Sequence, residues 1–299
     1  MTITAANQDA VLSSEFMARL DQLDIISRKM LAGKMKGERR SKRRGQSVEF
    51  ADYRNYVVGD DLRFIDWNVY ARLDKLFLKL FLEEEDLALN ILVDNSRSTD
   101  FGEPNKSLYL RRVAAALGYI GLVNHNRVTI AAVSDTIDAD TGGLRGRRRV
   151  PAMIDFLEKL QPTGATHLAA ACKRFALQHR TKGVTVVLSD FFDKAGFEAG
   201  LRYLATAGVD FFAVQVLSPQ EINPDLKGDL RLVDVEDNDF AEVSITQPLL
   251  KRYSATLNAF CLSLKEWVTR RGGTYLFTST AVPFETLVLN YLRDRGLVG

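Results

Sequence analysis

The sequence has little of what builds redox, zinc or secreted disulfide scaffolds. Its two cysteines, Cys172 and Cys261, stand far apart, with no Cys-x-x-Cys or Cys/His spacing around them. That argues against a disulfide framework or a zinc knuckle and makes a reducing compartment, the cytoplasm, the expectation. Histidine is as scarce: His125, His167 and His179 are the whole supply, and none sits in a catalytic motif. Neither Gly-x-Ser-x-Gly nor Gly-x4-Gly-Lys-Ser/Thr occurs, so serine-hydrolase chemistry and an intrinsic ATPase are not expected. The longest apolar run, Val113–Val123, is roughly half of a membrane span. Met1 to Ala10 lacks a basic start followed by an apolar core, so no secretory leader is expected. Charge of one sign is missing too: 40 Lys and Arg face 38 Asp and Glu, a net +2, too little for a global field toward nucleic acid. What remains is an ordinary globular composition, 46% hydrophobic and 26% charged over 299 residues, enough for one large or two modest domains.

The first helix signal follows Ser13-Ser14, where Phe16, Leu20, Leu23, Ile26 and Met30 recur at helical spacing. A local charge anomaly comes next. Lys34, Lys36, Arg39, Arg40, Lys42, Arg43 and Arg44 face a single Glu38, punctuated by Gly33, Gly37 and Gly45, which reads as an exposed segment. No aromatic residue interleaves it, so base stacking is not supported. A solvated tail, an anionic-surface contact and a docking site for an acidic partner are its three readings. The block Val48 to Glu85 mixes aromatic and charged residues, with a strand signal over Lys75–Leu82.

From Leu87 the pattern alternates. Strands are expected over Leu87–Val93, Val128–Val133, Val184–Leu188, Val209–Val216 and Thr274–Thr278, apolar at nearly every position, as in a parallel sheet covered on both faces. Helices are expected over Lys106–Val123, Val150–Leu160, His167–Gln178, Phe197–Ala205, Leu249–Arg271 and Phe284–Leu292, with a hairpin at Leu230–Glu236 and Glu242–Thr246. This rhythm predicts a doubly wound, mostly parallel α/β domain over residues 87–299. Residues 1–86 would form an extension, with a helix, the basic segment and short strands, packed on that domain.

The chemistry concentrates at strand exits, where open parallel sheets bind ligands. The first strand runs into Asp94-Asn-Ser96-Arg-Ser98, one carboxylate and two hydroxyls that a turning loop can aim at one point. An all-oxygen set suits a hard divalent cation such as Mg²⁺, or Mn²⁺. Thr166 follows Pro162-Thr-Gly-Ala at a helix start, and Asp190 leaves the strand Val184–Leu188. Each has a plainer role, since serines and threonines cap helices and aspartates make turns. Together, three loops on one rim offer Asp94, Ser96, Ser98, Thr166 and Asp190.

That order resembles the metal-ion-dependent adhesion site of von Willebrand factor A domains. The resemblance implies a Rossmann-type sheet and a Mg²⁺ held by these five residues, with a position open to an acidic residue of a partner. The preceding string sharpens it: Arg44-Gly-Gln-Ser-Val-Glu-Phe50, Arg54-Asn-Tyr56, Gly59-Asp-Asp-Leu-Arg63, Ile65-Asp-Trp67, Ala71-Arg72, Lys79 and Glu83-Glu-Glu85. It is similar to the bacterial domain-of-unknown-function family 58, in which such a block precedes a von Willebrand A-like domain. Thr99 stands where that family commonly has Met.

The family resemblance implies partnership with a MoxR-type AAA+ ATPase in a chaperone-like or assembly role, and no enzyme activity. The expectation is therefore a non-enzymatic, Mg²⁺-dependent protein-interaction module. Its alternatives are metal-assisted phosphoryl transfer at Asp94 and binding of nucleic acid or an anionic membrane surface through Lys34–Arg44. Phosphoryl transfer is disfavoured because the residue two beyond Asp94 is Ser96 rather than a proton-shuttling carboxylate. Within the string, Arg54, Asp60, Asp61, Arg63, Asp66 and Arg72 are expected to form an ion-pair network over a buried Trp67.

Overall fold

The computed structural model describes residues 11–26, 49–82, 87–178, 183–206, 208–237 and 239–299. The basic segment at residues 34–44 therefore lies outside the described residues, as do Met30 and residues 83–86. The chain divides into two units, Gly33–Asp86 and the remainder, Met1–Ala32 with Leu87–Gly299.

In the larger unit, helix α1 (Ser14–Leu20) opens where Ser13 Oγ accepts the Phe16 N–H. It ends earlier than the helical spacing predicts. After a turn at residues 21–22, the Asp24 and Ile26 N–H groups donate to the Gly299 and Leu297 carbonyls. Leu23 and Ile25 are buried all the same. Phe16, Leu20, Leu23 and Ile25 lie in the core of the larger unit, so this segment belongs to it.

The smaller unit pairs β1 (Glu49–Asn55) antiparallel with β2 (Phe77–Leu82), and helix α2 (Trp67–Leu73) lies between them in sequence. Asp66 caps α2 through the Asn68 and Val69 N–H groups, accepts the Tyr53 hydroxyl at 2.8 Å and pairs with Lys79 at 3.0 Å. These partners hold its carboxyl at about 2, first through Lys79 and then through Tyr53. Arg54–Asp60 and Arg63–Asp61 pair at 2.7 and 2.6 Å. Trp67, expected to be buried, is 59% exposed. It opens α2 and meets Tyr70 edge-on at 6.1 Å.

The rest of the larger unit runs β3 (Ala88–Asp94), α3 (Lys106–Val123), β4 (Arg127–Val133), β5 (Ile137–Asp140), β6 (Leu144–Arg145), α4 (Val150–Lys159), α5 (Leu168–Gln178), β7 (Gly183–Ser189), α6 (Glu198–Thr206), β8 (Asp210–Leu217), α7 (Pro219–Ile222), β9 (Gly228–Val233), β10 (Phe240–Ile245), α8 (Gln247–Arg270) and β11 (Thr274–Ser279), then a closing helical stretch from Phe284 to Asp294. Five parallel strands lie in the order β11-β8-β7-β3-β4, with β5 and β6 antiparallel on β4. The fold is thus mixed α/β with a mostly parallel sheet.

Alternation along the strands sends side chains into two cores. Leu89, Ile91 and Val93 of β3, with Val184, Val186 and Leu188 of β7, face α1, α3, α4 and the closing stretch. Leu92, Val187, Phe211 and Ala213 face α5, α6 and α8. Burial on both faces is why these strands read as nearly continuous apolar runs, with Asn90, Thr185 and Gln215 as buried polar exceptions. Among the described residues no helix is long and apolar enough to cross a membrane.

Candidate functional site

Strand order creates the site. The chain passes from β3 to β4 on one side and later returns to β7 on the other, so the order reverses at the carboxyl end of β3, where such sheets bind ligands. Val93 pairs with Leu188, which sets Asp94 beside Ser189. Asp94 Oδ2 accepts the Ser189 hydroxyl, and Oδ1 accepts the Ser96 N–H at 3.1 Å and the Ser96 hydroxyl at 2.7 Å. Ser96 Oγ lies 3.0 Å from Ser98 Oγ. Ser96 occupies the cap position of the 3-10 turn Arg97–Thr99, yet its hydroxyl makes no cap bond. Thr99 is buried and donates to the Ser96 carbonyl at 2.7 Å, fixing that turn.

Asp190 leaves β7 through a tight turn. Its Oδ1 accepts the Phe192 N–H at 2.9 Å, and its carbonyl accepts Gln215 Nε2 at 2.9 Å. Between them Phe191, fully buried, adopts a left-handed φ of 64°. That conformation is an outlier for a bulky residue and is held only where the surroundings over-determine it.

The sequence gives no sign of the group that meets Asp190. Lys106, the first residue of α3, is entirely buried, with Nζ 2.5 Å from Asp190 Oδ2 and 2.6 Å from Glu221 Oε1. Glu221 is itself fixed by a capping box with Ser218 at the start of α7. Burial alone would push the Lys106 pKa down, but the charges and hydrogen bonds of Asp190 and Glu221 outweigh it and raise it. Among the described residues Asp94 has no such cation. Burial first, and the Asp190 charge second, push its carboxyl up to about 6.

The loop at residues 161–167 is bolted to this group. Thr163 N–H donates to the Asn95 carbonyl at 2.7 Å, and Arg97 N–H donates to the Gly164 carbonyl at 3.2 Å. Gly164 holds φ +68°, and a Cβ there would fall 2.7 Å from Asp135 Oδ1. Thr166 is buried, but among the described residues it makes no hydrogen bond to Asp94, Ser96 or Ser98. Its hydroxyl and N–H both go to Glu236, at 2.8 and 3.1 Å. Helix α5 takes its cap from Asp193, whose Oδ2 accepts the Leu168 N–H at 2.8 Å.

Asp94, Ser96 and Ser98 are therefore joined directly, Asp190 adjoins them through its charge, and Thr166 stands on the neighbouring loop. Among the described residues no three His, Cys, Asp or Glu side chains converge as a cation site; a metal here would rest on two carboxylates and on hydroxyls. The donors fit one. The 3.0 Å between the serine hydroxyl oxygens, a hydrogen bond here, is also compatible with the edge of an octahedron with bonds of about 2.1 Å. Asp94, hydrogen-bonded but without a cation among the described residues, carries the charge such an ion would neutralise.

The family model described as "Protein of unknown function DUF58" matches residues 52–259. The uncharacterized protein Rv1480 of Mycobacterium tuberculosis is 28% identical over 238 residues, 78% of this chain and 74% of that protein. The uncharacterized protein Mb1516 of Mycobacterium bovis matches to the same extent. Among solved structures, the conserved hypothetical protein BatB from Bacteroides thetaiotaomicron aligns over 70% of this chain and 98% of its own, at 12% identity and a TM-score of 0.41. The pilus adhesin SpaC from Lactobacillus rhamnosus GG aligns over 73% and 31%, at 10% identity and a TM-score of 0.47.

Proposed function

The chain belongs to the DUF58 family, and we propose that it is a non-enzymatic, metal-dependent protein-interaction module. In this reading Asp94, Ser96, Ser98, Thr166 and Asp190 hold Mg²⁺ or Mn²⁺ at the carboxyl end of β3. The bound ion would supply a Lewis-acidic position for an acidic side chain of a partner protein.

The observation that carries the reading is a local deficit of positive charge. Asp94 and Asp190 are buried side by side, and Lys106 is committed to Asp190 and Glu221. Asp94 is left at about 6 by burial and by its neighbour's charge. Buried carboxylates in this state either take up a proton or a cation. The chain's own residues do the rest: Ser96 and Ser189 orient Asp94, and Lys106 holds Asp190 in place.

The family resemblance supplies the partner, a MoxR-type AAA+ ATPase with which the module would work in assembly or chaperone-like remodelling. Capture from a native lysate tests this, with and without EDTA, comparing wild type with Asp94→Ala. Recovery of an AAA+ ATPase only with metal and an intact Asp94 supports the reading. Equal recovery in all arms removes it.

A further inference from the structure

The β9–β10 hairpin ends at this site, and its turn carries a carboxylate already seated on one of the five residues. Glu236 Oε1 accepts the Thr166 hydroxyl at 2.8 Å, and Oε2 accepts the Thr166 N–H at 3.1 Å. Both oxygens are thus gripped by one residue, as a ligand's would be. Lys194, on the loop after β7, clasps the same turn from the side, 2.8 Å from Asp234 and 2.5 Å from Asp237. Asp234 Oδ1 accepts the Glu236 N–H at 2.8 Å and sets the turn's shape.

Among the described residues little else fixes the hairpin. Every residue of β9 and β10 is exposed or half-exposed, and a lone two-stranded hairpin is marginal in water. Its placement therefore depends on the tip, whose ion pairs are exposed and individually weak. A contact of this kind is reversible, and its release would uncover both the Thr166 donor pair and the Lys194 ammonium.

We propose that the Thr166 hydroxyl and N–H form a carboxylate-binding position that Glu236 occupies in the resting chain, and that an acidic protein segment binds by displacing the β9–β10 turn. This rests on the metal-dependent reading, in which Thr166 is part of the site an acidic partner addresses. The occupant defines the replacement. A matching segment presents one Glu or Asp to Thr166 and a second acidic side chain to Lys194, as Glu236 does with Asp234 and Asp237.

The test uses the full chain and a labelled peptide copying residues 233–240, Val-Asp-Val-Glu-Asp-Asn-Asp-Phe, followed by fluorescence anisotropy in Mg²⁺ and in EDTA. In the wild type the peptide competes with its own tethered copy, which is present at high effective concentration. In Glu236→Gln that competitor has lost its charge, so the peptide should bind roughly ten-fold tighter or more. A peptide with Gln in place of its Glu should not bind. Asp239→Asn removes a charge from the same turn without touching Thr166 and should behave as wild type. Equal binding to wild type and Glu236→Gln, or binding to neither, overturns the inference. Tighter binding to Glu236→Gln that is indifferent to EDTA keeps the carboxylate position and removes the metal reading instead.

Discussion

Asp94→Asn is expected to stabilise the metal-free protein at neutral pH and above while abolishing its response to metal. Folding moves the Asp94 carboxyl from an ordinary 3.8 to about 6, and each pH unit of difference is worth 1.36 kcal/mol. The ionised form therefore costs the fold about 3 kcal/mol at neutral pH and above. Because the folded state binds the extra proton, its stability is fully present below about pH 4 and is lost as pH rises through about 6. Asparagine does not titrate. Its Oδ1 keeps both Ser96 bonds, while its Nδ2 replaces the oxygen that accepts from Ser189. The Ser189 hydroxyl already accepts the Phe191 N–H at 2.8 Å and would have to turn and accept again, a loss of about 1 kcal/mol. The variant should then be about 1 kcal/mol less stable than wild type at pH 4 and about 2 kcal/mol more stable at pH 8.

Urea unfolding in EDTA measures this, with Trp267 as the probe in a Trp67→Phe background so that only the larger unit reports. Trp267 packs against Phe197 and under Arg271. Adding Mg²⁺ at about a hundred times its Kd should return about 2.7 kcal/mol to wild type and nothing to the variant. Parallel pH profiles for the two proteins, or an asparagine variant weaker at every pH, would refute the reasoning.

Three further substitutions probe the same geometry. Lys106→Met leaves Asp190 and Glu221 facing one another without their cation and should cost about 3–5 kcal/mol in denaturant unfolding; an unchanged midpoint would show that the ammonium does not hold them. Ser98→Ala removes a half-buried hydroxyl that, among the described residues, bonds to Ser96 alone, so unfolding should shift by less than about 1 kcal/mol. Its Mg²⁺ affinity, read by calorimetry, should still fall roughly ten-fold. Gly164→Ala forces a Cβ toward Asp135 at φ +68° and should lower stability by about 1–2 kcal/mol; a neutral effect in thermal unfolding would mean that the loop relaxes freely.

The sheet was legible because its strands are buried on both faces. β3, β7 and β8 carry apolar residues at nearly every position, and the helix expected over Lys106–Val123 has those bounds. The first helix stops short of its helical spacing because residues 24–26 pair with residues 297–299, so Leu23 and Ile25 are buried without a helix, and spacing alone does not distinguish that from a continuing helix. β5 and β6 leave no strand signal in the sequence because they are short and largely exposed. Trp67 shows the converse error, since an aromatic side chain is no evidence of burial.

At the site, Asp94, Ser96 and Ser98 were readable because they are neighbours in sequence, and Asp190 because it ends a recognisable strand. Lys106, Glu221 and Glu236 were not, because each comes from a separate element through a long side chain. A lysine in the first turn of a helix normally points to water. Only the fold brings it between two acids.

Isothermal titration of Mg²⁺ or Mn²⁺ into the wild-type chain and into Asp94→Ala, near pH 8 where Asp94 is ionised, tests the central claim most directly. The account predicts one saturable site in wild type and none in the variant, with thermal unfolding confirming that both are folded. Identical titrations for the two proteins would contradict it, and the oxygens around Asp94 would then be fastening loops alone.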